Sequence, residues 1–285
     1  MACTCNSDST YTVGGVTHTP ADIRALLDRH GLEARRALGQ NFVVDPNTVR
    51  RIAALSGAGP GSNIVEIGPG LGSLTIALVE AGARVTAVEA DKNLVPILRE
   101  VVEGMPVRII EGDAREIDWD VELAEHDSWQ LVANLPYNIA TPLVLDLLRD
   151  VPQMTSMLVM VQLEVGERLA AHAGDSAIGI PSILAAYHGT VSVAGRVPPT
   201  VFHPRPRVDS ALVRIDRHAE PPVESPRDEI EPLVRSAYGQ RRKMLRRSLG
   251  ALVTPQQFEQ AGVDPQARPE TLDLAAWDRL ARALK

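Results

Sequence analysis

The tetrapeptide Asn134-Leu135-Pro136-Tyr137 carries the most specific chemistry in the sequence. It follows an apolar run at 130–133, which predicts that it lies at the end of a buried strand. Asn134 offers an amide oxygen, Pro136 stiffens a backbone that carries carbonyl oxygens, and Tyr137 offers an aromatic face. Together these groups can bind a flat, amino-bearing ring. The alternative is a structural turn built on an Asx motif.

Methylation of the exocyclic nitrogen of adenine would use these groups. The N6 lone pair is delocalised into the ring, so two hydrogen-bond acceptors facing its N–H groups are needed to favour a pyramidal, more nucleophilic nitrogen. The Asn134 oxygen and the Leu135 or Pro136 carbonyl can supply them. Tyr137 can stack on the ring, which is worth roughly 1–3 kcal/mol per base. The target base must then be flipped out or single-stranded.

A glycine-rich turn follows the first predicted buried strand and reads Glu66-Ile67-Gly68-Pro69-Gly70-Leu71-Gly72. Glycines let the backbone turn sharply and approach a ligand, and the next helix presents unpaired N–H groups. Dinucleotide-binding folds need Gly or Ala at position 73, where this chain has Ser73. The G-x-G-x-G spacing led by Glu66 resembles that of S-adenosylmethionine-dependent methyltransferases. A tight turn without a ligand is the alternative.

Two acids follow the next two predicted strands. Glu89 lies about 20 residues after Gly68, where a carboxylate can bind both ribose hydroxyls of a nucleotide cofactor. Asp113 follows the third strand, where it can accept a hydrogen bond from the amino group of the cofactor adenine. The alternatives are a solvated strand-end carboxylate for Glu89 and a helix N-cap for Asp113.

Strands alternate with helices over the first two thirds of the chain, which predicts a parallel, doubly wound sheet. Strands are predicted at 63–67, 84–88, 107–110, 130–133 and 157–162, with helices at 22–30, 47–55, 71–81, 93–102, 142–149, 164–173 and 181–188. Antiparallel strands at 191–193 and 210–215 are expected to complete the sheet. A proline-containing linker at 218–228 precedes predicted helices at 230–238, 241–252, 255–260 and 272–284. The predicted fold class is α/β, a Rossmann-like doubly wound methyltransferase sheet with a small C-terminal α-helical domain.

Composition and charge narrow the class of protein. The chain has 285 residues, 45% of them hydrophobic, and no stretch near the roughly 18 apolar residues of a membrane span. Residues 1–20 do not resemble a secretory signal and are predicted to be a disordered tail, with Cys3 and Cys5 as free thiols in a reducing cytoplasm and no metal site. The net charge of −7 argues mildly against nucleic acid. However, positions 235–247 hold six basic residues and no acidic one, namely Arg235, Arg241, Arg242, Lys243, Arg246 and Arg247.

From about residue 37 to about residue 249, the chain resembles the ribosomal RNA adenine N6,N6-dimethyltransferases, specifically the small-subunit branch. The resemblance rests on these motifs: Leu38-Gly39-Gln40-Asn41-Phe42, the turn at 66–72, Glu89, Gly112-Asp113-Ala114, Asn134-Leu135-Pro136-Tyr137-Asn138-Ile139, Gln162-Leu163-Glu164-Val165, Pro199-Thr200-Val201-Phe202-His203-Pro204-Arg205-Pro206-Arg207-Val208-Asp209-Ser210 and Gln240-Arg241-Arg242-Lys243.

The resemblance implies a set of roles for named residues. The cofactor S-adenosyl-L-methionine would be bound by Asn41, Val43, Gly68, Glu89, Asp113 and Asn134, and Gln40 and Gly70 are further cofactor-binding candidates. The target adenine would be held by Asn134, Tyr137 and Phe202, with core packing as the alternative for Phe202, and Pro136 is added from the reasoning on the tetrapeptide. The basic cluster, rather than the resemblance, predicts RNA binding by Arg205, Arg207, Arg241, Arg242, Lys243, Arg246 and Arg247, with a solvated helix face as the alternative for the last five.

The resemblance also implies a substrate, and the linker described above divides the chain into domains. The substrate would be two adjacent adenosines near the 3′ end of 16S rRNA in an immature small ribosomal subunit, with four methyl groups transferred by a monomer. Loss of the activity would give resistance to kasugamycin. The predicted domains are a methyltransferase domain at 21–218 and a helical rRNA-binding domain at 224–285.

The chain departs from the family pattern at two places, and other functions compete. Val43 replaces the usual leucine, and residues 178–183 read Ile-Gly-Ile-Pro-Ser-Ile where the family has Tyr-Gly and Ser-Val pairs, a departure that concerns the target loop. One alternative is a large-subunit 23S rRNA methyltransferase of the macrolide-resistance type. A second is a catalytically silent assembly factor of the same fold, and a DNA adenine methyltransferase is the third.

Overall fold

A computed structural model of the chain describes residues 18–34, 40–137 and 139–285. The predicted disorder and free thiols of the tail therefore lie outside the described residues, except that Thr19 caps a helix that begins at Pro20. Leu38, Gly39 and Asn138 of the resemblance motifs also lie outside them.

The described strands form a seven-stranded sheet and a separate two-stranded ribbon. The sheet order is β4-β3-β2-β5-β6-β9-β7, with β2 to β6 parallel and β9 antiparallel to both of its neighbours. The sheet strands are β2 (Asn63–Ile67), β3 (Arg84–Glu89), β4 (Val107–Glu111), β5 (Trp129–Asn134), β6 (Met154–Gln162), β7 (Gly189–Val197) and β9 (Ser210–Arg217). The ribbon pairs β1 (Phe42–Val43) with β8 (Phe202–His203). Every predicted strand is present, and the predicted doubly wound sheet with antiparallel strands at one end is confirmed.

Helices connect the parallel strands and cover both faces of the sheet. They are α1 (Pro20–Arg29), α2 (Pro46–Ser56), α3 (Ser73–Glu80), α4 (Val95–Val101), α5 (Trp119–Glu122), α6 (Ala140–Asp150), α7 (Leu163–Leu169) and α8 (Ile180–His188). Local chemistry sets several ends: the Asp45 carboxylate accepts from the Thr48 N–H at the start of α2, and Gly57 ends it at φ +77°. The helix predicted at 164–173 is shorter, because α7 ends at Leu169.

The chain order places a cleft at one edge of the sheet. The first strand of the parallel set, β2, lies in the middle, and the chain continues outward through β3 and β4 before returning to β5 on the other side. Ligands of open α/β sheets bind at this switch point, outside the carboxyl ends of the strands. The glycine turn follows β2 and the Asn134 tetrapeptide follows β5, so both reach the same cleft.

The last quarter of the chain is helical. Its elements are α9 (Arg227–Gly239), α10 (Leu245–Ser248), α11 (Pro255–Ala261) and α12 (Leu274–Arg282). The single helix predicted at 241–252 is wrong, because 241–243 form a turn and the Leu245 and Arg246 N–H groups donate to the Ala267 and Pro265 carbonyls. The apolar core of these helices also includes Ile178 and Ile183 from the segment before β7. The departure from the family pattern at 178–183 therefore falls in this core. Among the described residues no helix is long and apolar enough to cross a bilayer.

Candidate active site

A cavity of about 480 Å³ opens at the carboxyl ends of β2 to β5. Its walls are the glycine turn, the residues just after β3 and β4, the start of the Asn134 tetrapeptide, and residues 40–43. All eight residues predicted to bind the cofactor line it: Gln40, Asn41, Val43, Gly68, Gly70, Glu89, Asp113 and Asn134. The sequence motifs thus converge on one space.

The glycine turn needs its glycines for backbone conformation. Gly68, Gly70 and Gly72 have φ values of +70°, +58° and +81°, in the left-handed region that other residues rarely adopt. A Cβ at Gly70 would lie 2.8 Å from Cε1 of Phe42, so the ring of Phe42 rests directly on the turn. The turn therefore has no room for a side chain at Gly70.

Glu89 is a buried carboxylate rather than a solvated one. It is 6% exposed, and its two oxygens accept from the N–H groups of Gly70 at 3.0 Å and Asp91 at 2.8 Å. Burial raises the pKa of Glu89, while these two hydrogen bonds oppose the rise. Each carboxylate oxygen keeps an acceptor site for a further donor, as binding of two ribose hydroxyls requires.

Asp113 is held as an ionised acceptor. It accepts from Nε and Nη2 of Arg115 at 3.1 and 2.5 Å, and these hydrogen bonds lower the pKa of Asp113. The helix N-cap alternative is wrong, because residues 113–116 form a turn and α5 is capped by Asp118 instead.

Asn134 is the last residue of β5, opposite Met160 of β6. Its Nδ2 donates to the Asn41 carbonyl oxygen at 2.9 Å, which fixes the orientation of the amide and leaves Oδ1 as an acceptor. Pro136 also lines the cavity, and its carbonyl accepts from the Ile139 N–H at 3.2 Å.

Tyr137 and Phe202 do not line this cavity. The Tyr137 hydroxyl lies 2.9 Å from Oγ of the buried Ser210, which anchors the ring at the start of β9. Phe202 is 4% exposed and belongs to the same core cluster as Val43 and Leu212. The packing alternative therefore describes the position of Phe202, and a stacking role remains a prediction.

The predicted RNA-binding residues fall into two structural groups. Arg241 is tied down: its guanidinium donates to the Ser176 carbonyl at 2.9 Å and lies 3.9 Å from Glu270. The others are exposed, and no carboxylate of the described residues pairs with them: Arg205, Arg207, Arg242, Lys243, Arg246 and Arg247. They lie on turns and a four-residue helix rather than along one long helix.

Several polar residues that sequence reasoning did not single out as site residues also line the cavity, and two of them, Glu66 and Ser73, are buried. Glu66 is 1% exposed, and the Thr75 hydroxyl donates to its Oε2 at 2.6 Å. Burial, with a smaller contribution from Glu89, raises the pKa of Glu66 to about 8. The Ser73 hydroxyl is buried without a hydrogen-bond partner in the described residues. The available signal was an acid placed directly before the glycines. The described residues contain no cluster of metal ligands.

The strand order, the glycine turn and the acid that ends β3 are typical of Rossmann-like methyltransferases. Comparison with known proteins narrows this class. Residues 31–285 match the family described as "Ribosomal RNA adenine dimethylase", and the chain belongs to that family. The family assignment from sequence is confirmed. The protein is therefore a methyltransferase with ribosomal RNA as its substrate and a methyl donor of the S-adenosylmethionine type.

Individual relatives and solved structures agree with this assignment. The chain is 45% identical over 276 residues to "Ribosomal RNA small subunit methyltransferase A" of Nocardia farcinica, covering 92% of this chain and 94% of that one. It is 44% identical to the protein of the same description from Thermobifida fusca, with 92% and 94% covered. The solved 23S rRNA methyltransferase ErmE is 26% identical, with a TM-score of 0.68 over 86% of this chain and 99% of that one. A dimethyladenosine transferase from Plasmodium falciparum, 22% identical with a TM-score of 0.70 over 84% and 95%, shares the fold.

Proposed function

We propose that the protein dimethylates N6 of two adjacent adenosines near the 3′ end of 16S rRNA, using S-adenosyl-L-methionine and acting as a monomer on an immature small ribosomal subunit. The observation that carries this proposal is the 44–45% identity, over more than nine tenths of the chain, to proteins described as small-subunit methyltransferases. The 23S rRNA methyltransferase is only 26% identical.

The residues of the cavity fit S-adenosyl-L-methionine. The bare turn at Gly68 and Gly70 lets the amino-acid portion approach the backbone, and Glu89 has acceptor capacity for the ribose hydroxyls. Asp113 offers a carboxylate to the amino group of the adenine. When bound, the cofactor supplies an electrophilic methyl group on a sulfonium centre.

Asn134 and Pro136 prepare the nitrogen that accepts the methyl group. Because Nδ2 of Asn134 is held by the Asn41 carbonyl, Oδ1 is preorganised to accept from one N–H of the target amino group. The Pro136 carbonyl already accepts from Ile139 but keeps a second lone pair for the other N–H. With both N–H groups engaged, the nitrogen would become pyramidal and its lone pair would project out of the ring plane, where it could accept the methyl group.

Proton removal needs no strong base in this site. The methylated nitrogen is a cation of high acidity and transfers its proton to water. Tyr137 contributes a ring face on which the target base can stack. The hydrogen bond between its hydroxyl and the Ser210 hydroxyl fixes the position of that face. Stacking by Phe202 would require its ring to leave the core position described above.

Unpaired cations supply the affinity for the RNA backbone. Arg205 and Arg207 precede β9, and Arg242, Lys243, Arg246 and Arg247 precede or form α10. Lysine and arginine that neutralise phosphates release counterions, so binding should weaken steeply as salt rises. The net charge of −7 over the whole chain would suppress adhesion to unrelated RNA.

Labelled methyl transfer tests the proposal directly. Purified protein is incubated with labelled S-adenosyl-L-methionine and either small or large ribosomal subunits from cells that lack the enzyme. We expect label in 16S rRNA only, as two adjacent dimethyladenosines when RNase fragments are weighed by mass spectrometry. Label in 23S rRNA would instead support the large-subunit alternative. No incorporation in either subunit would support the silent assembly factor.

A further inference from the structure

Negative charge dominates the lining of the cofactor cavity. Four carboxylates line it, belonging to Glu66, Glu89, Asp91 and Asp113. Among the described lining residues Lys92 is the one cationic side chain, and it is exposed to solvent. His18 is not among the lining residues, and its Nε2 lies 2.9 Å from the Leu71 carbonyl oxygen.

Of these four carboxylates, that of Glu66 accepts the fewest hydrogen bonds. Asp113 pairs with Arg115, Asp91 accepts from Gln40 and Asn93, and Glu89 accepts from two backbone N–H groups. Glu66 has one donor in the described structure, the Thr75 hydroxyl. Its neighbours on β3 and α3 bring the acid Glu89 and uncharged hydroxyls, but no cation.

Burial and the neighbouring acid therefore favour the neutral form of Glu66, with a pKa of about 8. At pH 7 the protonated form of this carboxyl would then predominate. A positive charge that enters the cavity favours the ionised form instead and drives the proton out into solvent.

We propose that Glu66 distinguishes the cationic methyl donor from its neutral demethylated product by losing a proton when the donor binds and regaining it when the product remains. This inference rests on the proposed cofactor. The donor carries a sulfonium charge next to its ammonium group, whereas the product is a thioether. The proton passes to bulk buffer on binding and returns from it after transfer. Glu66 would thus favour release of the spent cofactor.

Calorimetry in two buffers counts these protons without measuring turnover. Binding enthalpies are measured at pH 7 in phosphate and in Tris, which differ in ionisation enthalpy, for S-adenosyl-L-methionine and S-adenosyl-L-homocysteine. The wild type is compared with Glu66→Gln and with Glu103→Gln, an exposed control in the turn that follows α4 and not among the residues that line the cavity. The free ligands and buffers are the same for all three proteins, so a difference in proton release between the proteins reports on the substituted side chain.

When the donor binds, we expect the wild type and Glu103→Gln to release close to one proton more than Glu66→Gln. When the product binds, we expect all three proteins to release about the same number of protons. The preference for donor over product should rise about tenfold between pH 6.5 and 8 in the wild type, relative to Glu66→Gln. If both ligands bind and each releases the same number of protons from the wild type as from Glu66→Gln, this inference is overturned and the proposed function is left intact. Failure of the wild type to bind either ligand would instead overturn the proposed cofactor.

A second variant keeps the test decisive if Glu66→Gln does not fold. Thr75→Val removes the hydroxyl that stabilises the ionised carboxylate, while nearly preserving the buried volume. At pH 8, where the wild-type carboxyl is about half ionised, Thr75→Val should release more protons on donor binding than the wild type. Identical release would contradict the role of Glu66.

Discussion

Substitution of Gly70 by alanine tests how tightly the glycine turn is built. The new Cβ must adopt φ +58°, which costs roughly 1–2 kcal/mol for a residue other than glycine. It would also lie 2.8 Å from Cε1 of Phe42, a ring that is buried against α1 and held by the β1–β8 ribbon. Overpacking of this kind typically adds about 1–3 kcal/mol.

Gly61 offers a matched control. It also has a positive φ, +87°, but a Cβ there meets no atom within 4 Å. Gly61→Ala should therefore lose only the backbone part, and Gly70→Ala should lose about 1–3 kcal/mol more. Both are measured as the free energy of unfolding in urea and as Tm, which changes by roughly 2–4 °C per kcal/mol for a domain of this size.

A double-mutant cycle identifies the atom responsible. Phe42→Leu in the Gly70→Ala background should recover part of the loss, since the shorter side chain vacates the space that the Cβ needs. Cofactor affinity should also fall in Gly70→Ala, because the Gly70 N–H donates to Glu89 and a displaced turn breaks that bond. Equal destabilisation of Gly70→Ala and Gly61→Ala would refute the reasoning.

Three further predictions concern charge and catalysis. The pKa of Glu66 is raised to about 8, so the stability that this carboxyl contributes is fully present below its ordinary pKa of 4.5 and is lost as pH rises through 8. The Tm of Glu66→Gln should therefore rise relative to that of the wild type between pH 6 and 9. A Tm difference that stays constant over this range would contradict the prediction. Asn134→Ala should lower kcat/KM for methyl transfer about a hundredfold, as loss of one preorganised polar contact does, and a change under threefold would argue against its role. Arg242→Ala combined with Arg246→Ala should weaken binding to the small subunit and reduce the slope of log affinity against log salt by about 2, whereas Arg99→Ala, on α4, should leave that slope unchanged.

The cofactor side of the cavity was predictable because its signals are local. A glycine turn after a strand, and acids after the next two strands, follow from backbone conformation and strand direction. The position of Glu89 and Asp113 at the cavity could therefore be predicted without knowledge of any long-range contact. The ionisation of Glu66 could not be predicted in this way, since it depends on burial by distant segments and on the position of Glu89.

The target and RNA sides were less predictable because long-range contacts decide them. The run at 241–252 has helical propensity, but hydrogen bonds from Leu245 and Arg246 to carbonyls some 20 residues away replace a helix with a turn. Phe202 faces the core because β8 pairs with β1, which lies 160 residues earlier in the chain. Such pairings leave no periodic trace in a sequence.

The shared core of the last four helices limits how relatives can be recombined. Ile178 and Ile183 complete that core from a segment before β7, so residues 224–285 lack part of their own interior. A chimera that exchanges only residues 224–285 between two family members would pack the helices of one parent against Ile178 and Ile183, or their equivalents, from the other parent. Exchange of residues 174–188 together with 224–285 would keep both sides of this core from one parent, so we expect such a chimera to be more stable than one that exchanges 224–285 alone.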